Sequence, residues 1–133
     1  MVRLTRAIDF AASLRYWRPD LSESENRALF GRFASQHGHN YRLEVSVHGD
    51  PDPVTGMVMD LKDLKAVIER EVMARFDHRD LNRDADCFEQ APPTTEQLAL
   101  AIARVLDRGF APGQAPRGRL GVDPVTFQTR VPH

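Results

Sequence analysis

Residues 30–60, FGRFASQHGHNYRLEVSVHGDPDPVTGMVMD, decide how the rest of the chain is read. From Asn40 to Gly49 the run alternates: Tyr41, Leu43, Val45 and Val47 share one face, and Arg42, Glu44, Ser46 and His48 the other. That period of two predicts a half-buried strand. Just before it stand His37 and His39, separated by Gly38, which carries no Cβ and lets backbone approach closely. At the mouth of a strand the two imidazoles fall on one side, with Cα atoms roughly 7 Å apart, near enough to converge on one metal ion. A pair of surface histidines in a turn has the same spacing. Asp50-Pro51-Asp52-Pro53-Val54-Thr55-Gly56 reads as a turn. Met57-Val58-Met59 then reads as a returning strand, making a hairpin with a long loop.

Outward from that centre, Val2–Phe10 has apolar residues at 2, 4, 8 and 10 and predicts a strand, and Ala11–Asp20 is expected to leave the sheet. Ser22 offers an N-cap for a short helix towards Phe30. Asp60 caps a helix over residues 61–75, striped by Leu61, Leu64, Val67, Ile68, Val72 and Phe76. Phe76–Arg83 reads as a polar loop. Thr94 with Gln97 resembles a capping box for a second helix, striped by Leu98, Ile102, Val105 and Leu106 and stopped by Gly109. Val125, Phe127, Thr129 and Val131 suggest a last strand. The expectation is one α+β domain over 1–133: an antiparallel four-stranded sheet with two helices on one face. Its uncovered face and edges point to oligomerisation.

Composition narrows the function classes. The chain has 133 residues and a formal net charge of −1, which gives no electrostatic footprint for nucleic acid or an anionic membrane. No apolar run approaches the roughly 18 residues that a membrane span needs, and the N-terminus lacks a signal-peptide core. One cysteine, Cys87, excludes an internal disulfide and suits a reducing compartment, so a cytoplasmic location is expected. Cys87 itself reads as an incidental loop thiol.

Taken together, Phe10-Ala11-Ala12-Ser13, His37-Gly38-His39-Asn40-Tyr41, Thr55-Gly56-Met57-Val58-Met59-Asp60, Asp77-His78-Arg79-Asp80-Leu81-Asn82 and Pro93-Thr94-Thr95-Glu96 resemble the 6-pyruvoyl-tetrahydropterin and 6-carboxy-tetrahydropterin synthase family, in the family's order and over nearly the whole chain. The resemblance implies the tunnelling fold, in which subunits join their sheets into a barrel as homotrimers or hexamers with sites between subunits. It also implies zinc on three histidines, Lewis-acid chemistry on the side chain of dihydroneopterin triphosphate, and a cysteine relay supported by an Asp-His pair, in routes towards tetrahydrobiopterin or queuosine. Carried over by position, His37 and His39 would be metal ligands and Asp77 and His78 catalytic. Thr94, Thr95, Glu96 and Gln128 would bind the pterin.

Three positions depart from the pattern. Leu14 stands where the first zinc histidine follows the Phe-x-Ala-Ser run. Phe33, in Phe30-Gly31-Arg32-Phe33, stands where the cysteine is kept. Gln128 replaces the ring-anchoring glutamate and lacks its charge. The expectation is a divergent, pterin-binding member with weak or lost lyase activity. The competing readings are an active zinc lyase with another third ligand, such as His133 or a neighbouring subunit's His48, and a related reaction on a different bicyclic substrate.

Overall fold

The computed structural model describes residues 2–89 and 91–110, and residues 119–127 as backbone. Strand β1 (Val2–Leu14) pairs antiparallel with β2 (His37–Gly49) without interruption, from Val2 opposite Gly49 to Leu14 opposite His37. The other edge of β2 pairs antiparallel with β4 (Arg119–Phe127), from Asn40–Phe127 to His48–Arg119. A two-residue strand, β3 (Arg79–Asp80), lies parallel to β1 at Ala12 and Ser13. The sheet order is therefore β3-β1-β2-β4, mixed rather than wholly antiparallel.

The helices begin where the local chemistry places their caps. Ser22 and Glu25 form a reciprocal capping box for α1 (Glu23–Phe30), which runs into a 3₁₀ turn at Gly31–Ala34. Asp60 accepts from the Lys62 N–H and starts α2 (Leu61–Ile68); a π-helical segment (Glu69–Met73) and α3 (Ala74–Phe76) carry the helix on. Thr94 accepts from the Gln97 N–H at the head of α4 (Thr95–Gly109). Tyr41, Leu43, Val45 and Val47 are buried against Leu64, Ile68, Val72 and Phe76 of the first helical run and Leu98, Ile102 and Leu106 of α4. Burial at about 1.5–3 kcal/mol per large apolar side chain makes this layer what holds the histidine-bearing strand in place. Among the described residues, no helix is long and apolar enough to cross a membrane.

Several expectations are corrected. Met57-Val58-Met59 is not a strand: with β1 on one side of β2 and β4 on the other, both of its ladders are taken. Val58 and Met59 enter the core instead, and Asp52 ties the loop, its carboxylate accepting from Val54 and Thr55 and its carbonyl from Gly56, which sits at φ 74°. β1 continues to Leu14 rather than ending at Phe10, because Ala12 and Leu14 extend its buried face and β2 begins as early as His37. The polar run after Phe76 contains β3, which adds the parallel edge. On the helix-free face Arg42 is exposed as expected, but Ser46 is buried and hydrogen-bonded to Thr5 at 2.8 Å. The expected strand beyond Phe127, with Gln128 and His133, lies outside the described residues.

Candidate functional site

His37 and His39 open β2 on the face that Tyr41 continues into the core, with ring centroids 4.9 Å apart and planes at 84°. His37 Nδ1 lies 2.8 Å from the Ser35 carbonyl oxygen. A carbonyl only accepts, so Nδ1 carries a proton, and in the neutral ring Nε2 is the atom that presents the lone pair. That Nε2 is buried and has no hydrogen-bond partner. Burial, and secondarily the charge of His37, hold His39 below the ordinary imidazole range. Both causes disfavour the imidazolium, so His39 is a neutral donor at pH 7. An oriented ring with a carbonyl behind it is the arrangement that metal-ligating histidines use.

Among the described residues, no third donor stands beside the pair. Leu14 is the cross-strand partner of His37, so the two side chains share a face with Cβ atoms about 4.5–5.5 Å apart. Leu14 is 0% exposed. Among the described residues, no group of three or more His, Cys, Asp or Glu side chains is placed to hold a metal ion. Catalytic zinc sites ordinarily use three protein ligands and leave a fourth position open. The described residues offer two imidazoles at this point, one fewer than such a site uses.

Aromatic rings close in around the pair. Tyr16 stacks on Phe33 at 5.3 Å and meets His37 edge-on at 5.8 Å. Phe33 also meets His37 at 5.7 Å, and Tyr41 meets His39 at 5.9 Å. Tyr16 went unflagged in the sequence; its signal was its place two residues beyond Leu14, on the continuation of the same face. Burial first, then the nearby carboxylate of Glu96, pushes the Tyr16 phenol up, so it remains a protonated donor. Glu96 is thereby brought to the aromatic side of the histidine pair, near the head of α4. Thr94 spends its hydroxyl on the cap, where it accepts from Gln97.

Asp77 and His78 follow α3 and attach to β1. Asp77 Oδ1 accepts from the Ala11 N–H at 3.1 Å and lies 2.9 Å from His78 Nδ1. The His78 N–H donates to the Ala11 carbonyl at 2.6 Å. His78 sits at φ 56°, uncommon for a residue with a Cβ, and its side chain is 83% exposed. His78 and His39 line one open groove of about 420 Å³ with Ala12, Gly38, Asn40 and Arg79. The fold thus joins the Asp-His pair to the second histidine. Ser35 contributes its carbonyl to His37, while its hydroxyl accepts from Arg27 at 3.2 Å. Cys87 lines a different cleft with Arg75 and Arg79, and burial and Asp86 push its thiol up, away from thiolate character. His48 lies near the far end of β2, opposite Arg3.

The family model for 6-pyruvoyl tetrahydropterin synthase matches residues 3–122. The chain belongs to this family. The human 6-pyruvoyl tetrahydrobiopterin synthase is 44% identical over 102 residues, which cover 75% of this chain and 70% of the human one. A dihydroneopterin monophosphate aldolase of Pyrococcus furiosus is 38% identical over 86 residues, covering 65% and 68%. In structure, the chain is similar to Caenorhabditis elegans 6-pyruvoyl tetrahydropterin synthase, with a TM-score of 0.78, 29% identity and 96% of each chain covered. The α+β architecture with its mixed sheet is therefore the family's tunnelling fold, and the His37/His39 strand mouth sits in that frame.

Proposed function

We propose that this chain is a pterin-binding member of its family in which lyase activity is weak or lost. The observation that carries the reading is Leu14, fully buried and directly across the sheet from His37, where a third imidazole would come from. A leucine there contributes packing and no lone pair. Phe33 stacked on Tyr16 adds a second apolar replacement beside the same histidine, where the resemblance expects the relay cysteine.

In this reading the subunits join their sheets into a barrel and the ligand lies between them. By the family resemblance Thr95, Glu96 and Gln128 bind the pterin, and Thr94 holds the head of α4 in position. His37, through its Nε2, and His39 accept from ligand hydroxyls, and His78, backed by Asp77, borders the groove. With Phe33 where the resemblance expects the relay cysteine, the described residues beside the histidine pair lack the thiol that would move a proton along the ligand's side chain. The His37 Nε2 atom supports a second reading, since an orphaned buried lone pair costs about 1–3 kcal/mol unless a ligand relieves it. That reading is an active enzyme whose third donor comes from a neighbouring subunit or from His133. The Pyrococcus furiosus relative favours a third, a different reaction on a related bicyclic substrate.

One experiment separates them: purified protein, its metal content measured, is incubated with dihydroneopterin triphosphate and the products are read by mass spectrometry. Saturable binding of the pterin with turnover far below about 1 per second is expected. Turnover at or above that rate with near-stoichiometric zinc would replace the proposal by the second reading.

A further inference from the structure

Beyond the open end of the sheet, a separate cleft of about 650 Å³ is lined by Arg15, Trp17, Gln36, Asp80, Asn82 and Arg83. None of these is a histidine of the pair or a member of the Asp77–His78 couple. The cleft is held open by backbone fixed on both sides. The Asn82 side chain accepts from the Arg15 N–H and donates to the Arg15 carbonyl, both at 2.9 Å, which pins the chain after β1. The facing turn is tied by the Asp80 carbonyl, which accepts from the N–H groups of Arg83 and Asp84.

The charges in this cleft are unevenly satisfied. Asp80 uses one carboxylate oxygen on the Asn82 N–H at 3.0 Å and the other on the Gln36 side chain at 3.3 Å. The Arg15 guanidinium lies 4.0 Å over the Trp17 ring. That contact orients the charge without neutralising it. Neither Arg15 nor Arg83 forms an ion pair with a described residue. Two guanidinium groups on one cleft, one of them pre-oriented on an indole, suit a planar fork of donors for phosphate oxygens. Glu89 stands exposed on the rim and works against an anion. Its position is what makes a test with two opposite signs possible.

We infer that this cleft binds a phosphate-bearing small molecule through Arg15 and Arg83, independently of the pterin site. Trp17 is the chain's only tryptophan, so intrinsic fluorescence reports from the cleft itself. The full-length protein is titrated with inorganic pyrophosphate, by fluorescence and in parallel by calorimetry, against sodium chloride at matched ionic strength. The expected result is saturable binding with a dissociation constant below about 1 mM. Arg83→Met should weaken it about tenfold or more, and Glu89→Gln should tighten it; both positions are exposed, so the fold is unaffected. A second arm with a nucleoside diphosphate distinguishes a free phosphate ligand from a ring-bearing one, which would bind tighter. Silence in both readouts, an equal response to sodium chloride, or an Arg83→Met protein that binds as tightly as the parent would overturn the inference. None of these outcomes depends on whether dihydroneopterin triphosphate is bound or turned over.

Discussion

Leu14→His tests the central argument. The residue is fully buried and faces His37 across the β1–β2 ladder, so an imidazole there begins about 4.5–5.5 Å from the His37 Cβ. Without metal the substitution gives up about 1.5–3 kcal/mol of leucine burial. It also leaves buried ring nitrogens unpaired, at about 1–3 kcal/mol. The metal-free variant should therefore be less stable by about 3–5 kcal/mol, a fall in melting temperature on the order of 10 °C. Zinc at a thousandfold excess over its dissociation constant returns about 4.1 kcal/mol, nearly the whole loss. The assay is thermal and urea unfolding at fixed protein concentration, with and without zinc, alongside metal analysis after dialysis. Leu14→His should carry close to one zinc per chain and regain most of its stability. The parent should carry far less, and His37→Ala added to Leu14→His should abolish the response. A parent protein that already retains stoichiometric zinc, or a variant that stays unstable in zinc, refutes the reading of Leu14 as the missing ligand position.

Other consequences are open to measurement. The His39 imidazole is held low by burial and by His37, so the unfolded chain takes up its proton at a higher pH than the folded one. The associated stability is complete above about pH 6.5 and declines as pH falls from there towards the lowered folded value, so the urea midpoint should drop between pH 7.5 and 5.5, and less so in His39→Asn. His78 occupies φ 56° while its ring is exposed; His78→Gly should leave stability within about 1 kcal/mol of the parent or raise it, whereas His78→Val should lose more than that. A circular-dichroism melt decides both. Asp77→Ala removes the acceptor of the Ala11 N–H, and a loss of about 1–2 kcal/mol is expected in urea unfolding with little change in pterin affinity. An Asp77→Ala protein that kept its stability but lost pterin binding would assign the carboxylate to the ligand.

The parts of the fold visible in the sequence are those governed within one turn or one strand. Ser22, Asp60 and Thr94 announced their helices because an N-cap bond spans two or three residues. Tyr41 to Val47 announced the central strand by alternation. Met57–Met59 misled because strand propensity is local and pairing is not: whether β2 has a free ladder depends on β1, from Val2 opposite Gly49 to Leu14 opposite His37, and on β4, far ahead in the chain, from Arg119 opposite His48 to Phe127 opposite Asn40. β3 was hidden for the same reason. Two residues of Arg-Asp become a strand only because Asp77 and His78 hook the chain onto Ala11.

The site divides along the same line, and Leu14 shows why. His37 and His39 are legible from period two alone, whatever lies opposite them. Leu14, read locally, is no fault at all: it extends the apolar series Phe10, Ala12, Leu14 and improves β1 as a strand. Only when β1 is laid against β2 does its partner prove to be His37. One residue thus lengthens the strand, fills the core and, in the proposed reading, takes a donor away from the histidine pair. Restoring the donor must then cost packing, which is why the unfolding experiment and the metal analysis have to move together: a gain in zinc without a loss of metal-free stability would mean that Leu14 is not the plug that the geometry makes it.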